Sequence, residues 1–332
     1  MAERSPITAG AVWRAAHVGD ATEWTDVLEA RDAAAVVAAV AHARGAGHTR
    51  ETLTRDDFPL GHLTERVHEW AHSLRDGRGF VLVRGFPVGD LSADDVEFAY
   101  FGLGLHLGTP VGQDAHGTTL GHVRDERRPR TGPEVRLYRT NQRQDFHTDG
   151  ADIIGLLCLH RAKHGGESRI VSAAAVYNEL LRRDRALVET LYEPMYWDRN
   201  DEQSAGEEPY YALPVLNDVA GRPRFFYIGW YIRDAQRHPN APRLTEAQLA
   251  AMGAIESIAN DPAFHVEMDF QPGDIQLLNN SVILHSREAY EDFDDLDDLD
   301  QRRHLLRLWL CAHDFAAVED QLRAGIPERR PS

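Results

Sequence analysis

The sequence predicts an α+β chain, mainly β at its core, with flanking helices and a helical N-terminal extension. Three observations point there. Short apolar runs bounded by Gly and Pro recur from Gly79 onward, period-two alternation marks the C-terminal third, and few helical stretches separate these runs. Many short strands with few helices between them imply a closed or sandwiched β core rather than alternating β-α-β units.

Residues 1–78 read as helical and polar, with an alanine-rich stretch around Ala33–Ala43. They are expected to pack on one compact unit formed by residues 79–332. GFVLVRGFP, from Gly79, is an apolar run ended by Gly and Pro, as a buried strand requires. Ser92, three residues before Asp95, caps a helix that VEFAYFGL continues. VRLYRTN (135–141), DIIGLLCLH (152–160) and SRIVS (168–172) read as successive strands. Ser172 caps a helix over AAAVYNELLRR, and Thr245 with Gln248 forms a capping box for a helix reaching Asn260. FHVEMDF (264–270) sets Phe264, Val266, Met268 and Phe270 against His265, Glu267 and Asp269. QPGD turns the chain into the strand IQLL, and RHLLRLWL (303–310) alternates again. The aspartate-rich DFDDLDDLD (292–300) reads as a solvated loop, because it lacks the Gly and Glu positions of an EF-hand calcium loop.

The formal charge of −17 argues against nucleic acid or an anionic membrane as partner, since both repel an acidic protein. No apolar run approaches the roughly 20 residues needed to span a bilayer, and MAERSPITAG lacks the pattern of a signal peptide. Cys158 and Cys311 each lie in an apolar strand-like run, so buried thiols in a reducing cytoplasm are expected. Seventeen histidines remain to be sorted into ligands and bystanders.

HEWAH, residues 68–72, matches the H-E-x-x-H pattern of zinc hydrolases. On a helix, however, Leu63, Val67, Trp70 and Leu74 form the core stripe, and His68 and His72 point roughly 130–170° away from its centre beside Glu69. A zinc pair must face an enclosed cleft, so HEWAH reads as a solvent face. QDFHTDG (144–150) is the better candidate. In an extended strand His147 and Asp149 share a side, roughly 6–7 Å apart at the backbone, while Thr148 points away. His285 ends the apolar run LLNNSVILH and completes a two-histidine, one-carboxylate set, the facial triad of non-haem Fe(II) oxygenases. Arg303 and Arg307 share a strand face with Leu305 and Trp309, roughly 13 Å apart. Guanidiniums on an apolar inward face need anions, such as the far carboxylate of an iron-bound diacid.

Together FHTDG, GGES at 165–168, QPGDIQLLNN before His285, and RRHLLR resemble the taurine dioxygenase (TauD/TfdA-like) family of Fe(II)/2-oxoglutarate-dependent oxygenases. The resemblance runs from about residue 79 to 310. It implies a double-stranded β-helix (jelly-roll) core, Fe(II) held by His147, Asp149 and His285, and 2-oxoglutarate and O2 as co-substrates. Position by position, it implies that Arg303 and Ser168 hold the far carboxylate of 2-oxoglutarate. Arg307 matches an arginine that meets a substrate's anionic group in some members. Phe146, Trp230 and Tyr231 are further candidates to line the substrate. Thr109 stands where the taurine enzyme has a substrate-binding histidine, which argues against taurine. The carboxylate at Asp149 disfavours halogenation. The implied reaction is hydroxylation of an aliphatic C–H of a small organic acid or amino-acid-like metabolite, with desaturation or cyclisation as variants, in a cytoplasmic enzyme of a family that often forms homodimers or higher oligomers.

Overall fold

The apolar runs become the strands of two facing sheets. The computed structural model describes residues 4–114, 116–127, 136–219, 221–293 and 302–315. Its strands begin with β1 (Thr25–Val27), β2 (Phe80–Arg84), β3 (Gly108–Pro110), β4 (Leu120–Val123), β5 (Gln144–His147), β6 (Ile153–His160), β7 (His164–Gly165) and β8 (Ser168–Ser172). Two hairpins follow, β9 (Pro194–Asp198) with β10 (Tyr210–Pro214), and β11 (Leu216–Val219) with β12 (Arg222–Phe225). The series ends with β13 (His265–Met268), β14 (Ile275–Asn279), β15 (Ile283–Arg287), β16 (Tyr290–Glu291) and β17 (His304–Ala312). The helices are α1 (Ala21–Trp24), α2 (Ala30–Gly45), α3 (Leu63–Arg75), α4 (Ala93–Gly104), α5 (Ala173–Arg183), α6 (Arg185–Leu191), α7 (Gly229–Asp234) and α8 (Glu246–Ala259).

The larger sheet runs β1-β2-β14-β6-β17-β3, with β4 also on β17; the smaller runs β13-β8-β15-β5. Side-chain alternation divides the long central strand β17 between two layers. On β17, Leu306, Leu308 and Leu310 pack outward under α2, α3 and α4, while Leu305 and Trp309 face the second sheet. The layer between the sheets joins them to Phe80, Ile154, Cys158, Ile170, Met268, Leu278 and Ile283. Beyond the smaller sheet, Phe146, Val171 and Leu284 pack under α5, α6 and α8. The chain is thus a mixed α/β protein in four layers, with helices outside both sheets.

The expected caps form. Ser92 accepts a hydrogen bond from the Asp95 amide, Ser172 from that of Ala175, and Thr245 makes its capping box with Gln248. Three expectations need correction. The polar N-terminal segment is not only helical, since β1 adds a parallel edge strand beside β2. VRLYRTN forms no strand over its described residues; Leu137–Arg139 is a 3-10 turn, because the Thr140 amide and hydroxyl both bond back to the Leu137 carbonyl at 3.1 and 2.9 Å. Cys158 is buried on β6, but Cys311 on β17 is only half-buried, and no disulfide joins them. Most of the aspartate run, 294–300, lies outside the described residues. No helix among the described residues is long and apolar enough to cross a membrane.

Candidate metal centre and its surroundings

His147 closes β5, and its ladder partner on β15 is His285. Asp149 follows two residues after His147, on a turn held by Asn280. The Asn280 side chain accepts from the Asp149 amide at 2.8 Å and donates to the Asp149 and Ala151 carbonyls at 2.6 and 2.8 Å. Thr148 points the other way, its hydroxyl accepting from the Tyr227 amide at 2.9 Å. One ligand atom from each of His147, Asp149 and His285 then lies within 4.8 Å of the others, and all three residues are buried. Both histidines direct Nε2 at the carboxylate, His147 at 3.8 Å from Oδ1 and His285 at 3.7 Å from Oδ2.

The protonation states suit cation binding. The Asp145 carbonyl, 2.7 Å from His147 Nδ1, can only accept, so Nδ1 carries the proton and Nε2 presents its lone pair. Burial holds the His147 imidazole below its ordinary pKa, outweighing the nearby Asp149 charge. Burial, then the neighbouring His147, pushes His285 down to about 3. Burial opposes ionisation of Asp149, but the Arg307 charge and the hydrogen bond from Trp309 help hold its carboxyl below the usual range. The Asp149 Oδ2 accepts from Trp309 Nε1 at 3.0 Å and from Arg307 at 3.4 Å. Two neutral imidazoles and one oriented carboxylate are the donor set of a divalent transition metal with open positions.

Around this centre the sequence candidates divide. Trp230 sets its ring edge-on to His147, 4.9 Å between centroids, and Tyr231 lies beside Trp230. Both sit on the short helix α7 rather than at a strand end. Arg307 is buried between the rings of Tyr138 and Trp309, with Nε donating to Gln113 at 2.8 Å. Arg303 is buried at the other end of the same strand face, its guanidinium donating to the Gly166 carbonyl at 3.1 Å. Ser168 is buried and bonded to Gln276. Two candidates are not brought in. Phe146 alternates with His147 and so faces the outer helical layer, its ring tilted against that of His265. Thr109 is exposed on the edge strand β3, opposite Cys311. In HEWAH, Trp70 is buried on α3 while His68, Glu69 and His72 are exposed. No zinc pair faces a cleft there.

The sequence profile described as "Taurine catabolism dioxygenase TauD, TfdA family" matches residues 45–309. The chain belongs to this family. Within it, FR-33289 synthase of Streptomyces rubellomurinus is 34% identical over 308 residues, covering 92% of this chain and 91% of that one. Among solved structures, asparagine oxygenase in complex with Fe(II), 2S,3S-3-hydroxyasparagine and succinate superposes with a TM-score of 0.66. It is 18% identical, covering 87% of this chain and 93% of its own. The non-heme iron oxygenase OrfP, in complex with Fe and alpha-ketoglutaric acid, superposes at 0.63 with 17% identity, covering 86% and 94%. As a TauD, TfdA-family member this chain is an oxidoreductase of the dioxygenase type, and the zinc-hydrolase alternative has no support.

Sequence reasoning missed several residues around this centre. Asn280 lies in QPGDIQLLNN, but only the fold brings it under Asp149. Gln113 and Tyr138 come from distant segments to flank Arg307. Arg136 donates to the Tyr231 hydroxyl and pairs with Glu202. Arg287, two residues after His285, is buried as well.

Proposed function

We propose that this enzyme is an Fe(II)- and 2-oxoglutarate-dependent oxygenase that hydroxylates an aliphatic C–H of a small organic acid or amino-acid-like metabolite in the cytoplasm. We read its two facing sheets as the double-stranded β-helix, and residues 1–78 as an extension packed on it. One observation carries the reading: three buried metal-donor groups converge on a strand pair, with an anion-seeking arginine on the neighbouring sheet.

In this reading His147, Asp149 and His285 hold the iron. With 2-oxoglutarate bound and O2 as the oxidant, the iron would supply oxidative decarboxylation to succinate and CO2 and the capacity to abstract a substrate hydrogen. The chain's own residues do the rest. Trp309 and Arg307 fix one Asp149 oxygen, so the carboxylate keeps one orientation. Arg303, with Ser168 nearby, receives the far carboxylate of 2-oxoglutarate. Trp230 and Tyr231 form an apolar wall that excludes water and positions the reacting C–H, while Arg307 faces the substrate's acid group. The hydroxylated product and succinate bound to asparagine oxygenase support this substrate class.

Anaerobic titration of the apoprotein with Fe(II) and 2-oxoglutarate tests the site through its weak visible charge-transfer band. The band is expected in wild type and His68→Ala and lost in His147→Ala and His285→Ala. A band that survives His285→Ala, or depends on His68, would end this reading.

A further inference from the structure

We propose that Arg287 and Tyr290 complete the site for the far carboxylate of the co-substrate, so that two guanidiniums and a phenol, rather than Arg303 alone, distinguish a 2-oxo diacid from a 2-oxo monoacid. The inference rests on the function proposed above.

Arg287 follows His285 by two residues on β15, so it projects from the same inward face. Its ladder partner on β8 is Ser168. Arg287 and Arg303 are 6% and 5% exposed, and their guanidiniums both lie 5.1 Å from the centre of the Tyr290 ring. Tyr290 is itself buried. The three side chains thus share one closed corner behind the metal centre.

That corner has acceptors for only some of its donors. Arg287 uses NH2 on the Leu137 and Gln142 carbonyls. Its Nε and NH1, the NH1 of Arg303 and the hydroxyl of Tyr290 are buried without a hydrogen-bond partner among the described residues. Every one of these atoms can donate, and leaving buried donors unmet costs free energy, most of all when they are charged. Two like charges packed together add to that cost.

The missing ligand is therefore an anion with several acceptor sites. A carboxylate offers two oxygens and about four lone-pair positions, enough for the donors left over here. A guanidinium fork meets it in two parallel bonds. Gly166 explains how the corner stays open. Its φ is +78°, and a Cβ there would stand 2.7 Å from Arg303 Nε and 3.2 Å from Tyr290 Cβ. A purely structural Arg287, holding only the Leu137 and Gln142 carbonyls, would not require its remaining donors to converge with those of two other residues.

The test is calorimetric titration of the Fe(II)-loaded protein, without oxygen, using 2-oxoglutarate and 2-oxobutyrate, which share the 2-oxo acid head and differ in the far carboxylate. Arg287→Gln is expected to weaken 2-oxoglutarate by about 10- to 100-fold, the range of a lost charge-assisted hydrogen bond. It should leave 2-oxobutyrate within about threefold, and Arg287→Lys should recover part of the loss. Equal weakening of both ligands, or of neither, overturns the proposal in favour of a structural role. Tyr290→Phe repeats the test with a variant that keeps the packing, should Arg287→Gln not fold. Arg303→Gln separates the two levels of inference. If it abolishes the discrimination while Arg287→Gln and Tyr290→Phe preserve it, only this proposal fails. If wild type does not bind 2-oxoglutarate, the function proposed above fails with it.

Discussion

His285 shows how burial keeps an imidazole neutral. Its imidazole is pushed down to about 3, against an ordinary 6.5, by burial and then by the neighbouring His147. The unfolded chain therefore binds a proton at this position that the folded chain refuses. Between those two values folding releases the proton, so stability rises with pH and falls as pH drops below about 6.5. Asp149 acts in a different window, since its lowered pKa contributes stability above the ordinary 3.8 that is lost only below it. The urea midpoint of the apoprotein should thus decline from pH 7 to pH 4. His285→Gln should flatten part of that decline, and only part, because His304 is also pushed down to about 3 by burial, then by His122. A midpoint independent of pH across this range would contradict the burial argument. The convergence of His147, Asp149 and His285 was legible because HxD on a strand and a histidine at the end of an apolar run carry their own geometry. Arg287 was not legible. In LHSRE it reads as a polar residue leaving a strand, and only its opposition to Ser168 and its stacking on Tyr290 bring it inside.

At the scale of elements, β17 was the most readable strand. Its alternation separates Leu306, Leu308 and Leu310 from Leu305, Arg307 and Trp309, and the two sets face different layers. The same rule, applied to QDFH, would have turned Phe146 away from the metal; pairing His147 with Asp149 already placed its neighbour on the opposite face. VRLYRTN misled for another reason. The Leu137 carbonyl serves a local turn and the Arg287 side chain instead of a ladder. The turn between β7 and β8 supplies the prediction at this scale. Gly166 combines a left-handed φ with direct packing on Arg303. Gly166→Ala should lower stability by about 1–2 kcal/mol through backbone strain. It should also displace Arg303 and weaken 2-oxoglutarate binding roughly tenfold, the lower end for a charge-assisted contact. Thermal unfolding and the anaerobic titration read the two effects separately. A variant with unchanged co-substrate affinity would show that Arg303 is held by contacts other than this close approach.

For the whole molecule, the question is what the N-terminal residues contribute to a site made wholly from later ones. Asp32 on α2 is fully buried and is met by the Glu29 amide at 2.9 Å, by His62 at 2.9 Å and by Arg66. Burial opposes its ionisation, but these hydrogen bonds and the Arg66 charge hold its carboxyl below the ordinary value. Arg66 on α3 also grips Asp26 and the Val27 carbonyl of β1, and Trp70 donates to Asp26 at 2.6 Å. The helix that carries HEWAH is thus a clamp. Its tryptophan and the preceding arginine tie α2 and β1 to the edge of the larger sheet, and its histidines face solvent. β1 pairs with β2, β2 with β14, and the chain leaving β14 carries Asn280 under Asp149. The clamp therefore supports the sheet without touching His147, Asp149 or His285, and it should affect stability rather than chemistry. Removing one member of a buried charge cluster is strongly destabilising, but Arg66 keeps Asp26 and some solvent, so Asp32→Ala should cost about 2–3 kcal/mol. The unfolding midpoint should fall by roughly 3–4 °C at this chain size. The Fe(II)–2-oxoglutarate band should keep its position and its midpoint concentration at 20–25 °C. If Asp32→Ala instead abolished the band in protein that is still folded, the extension would be part of the active site rather than its support.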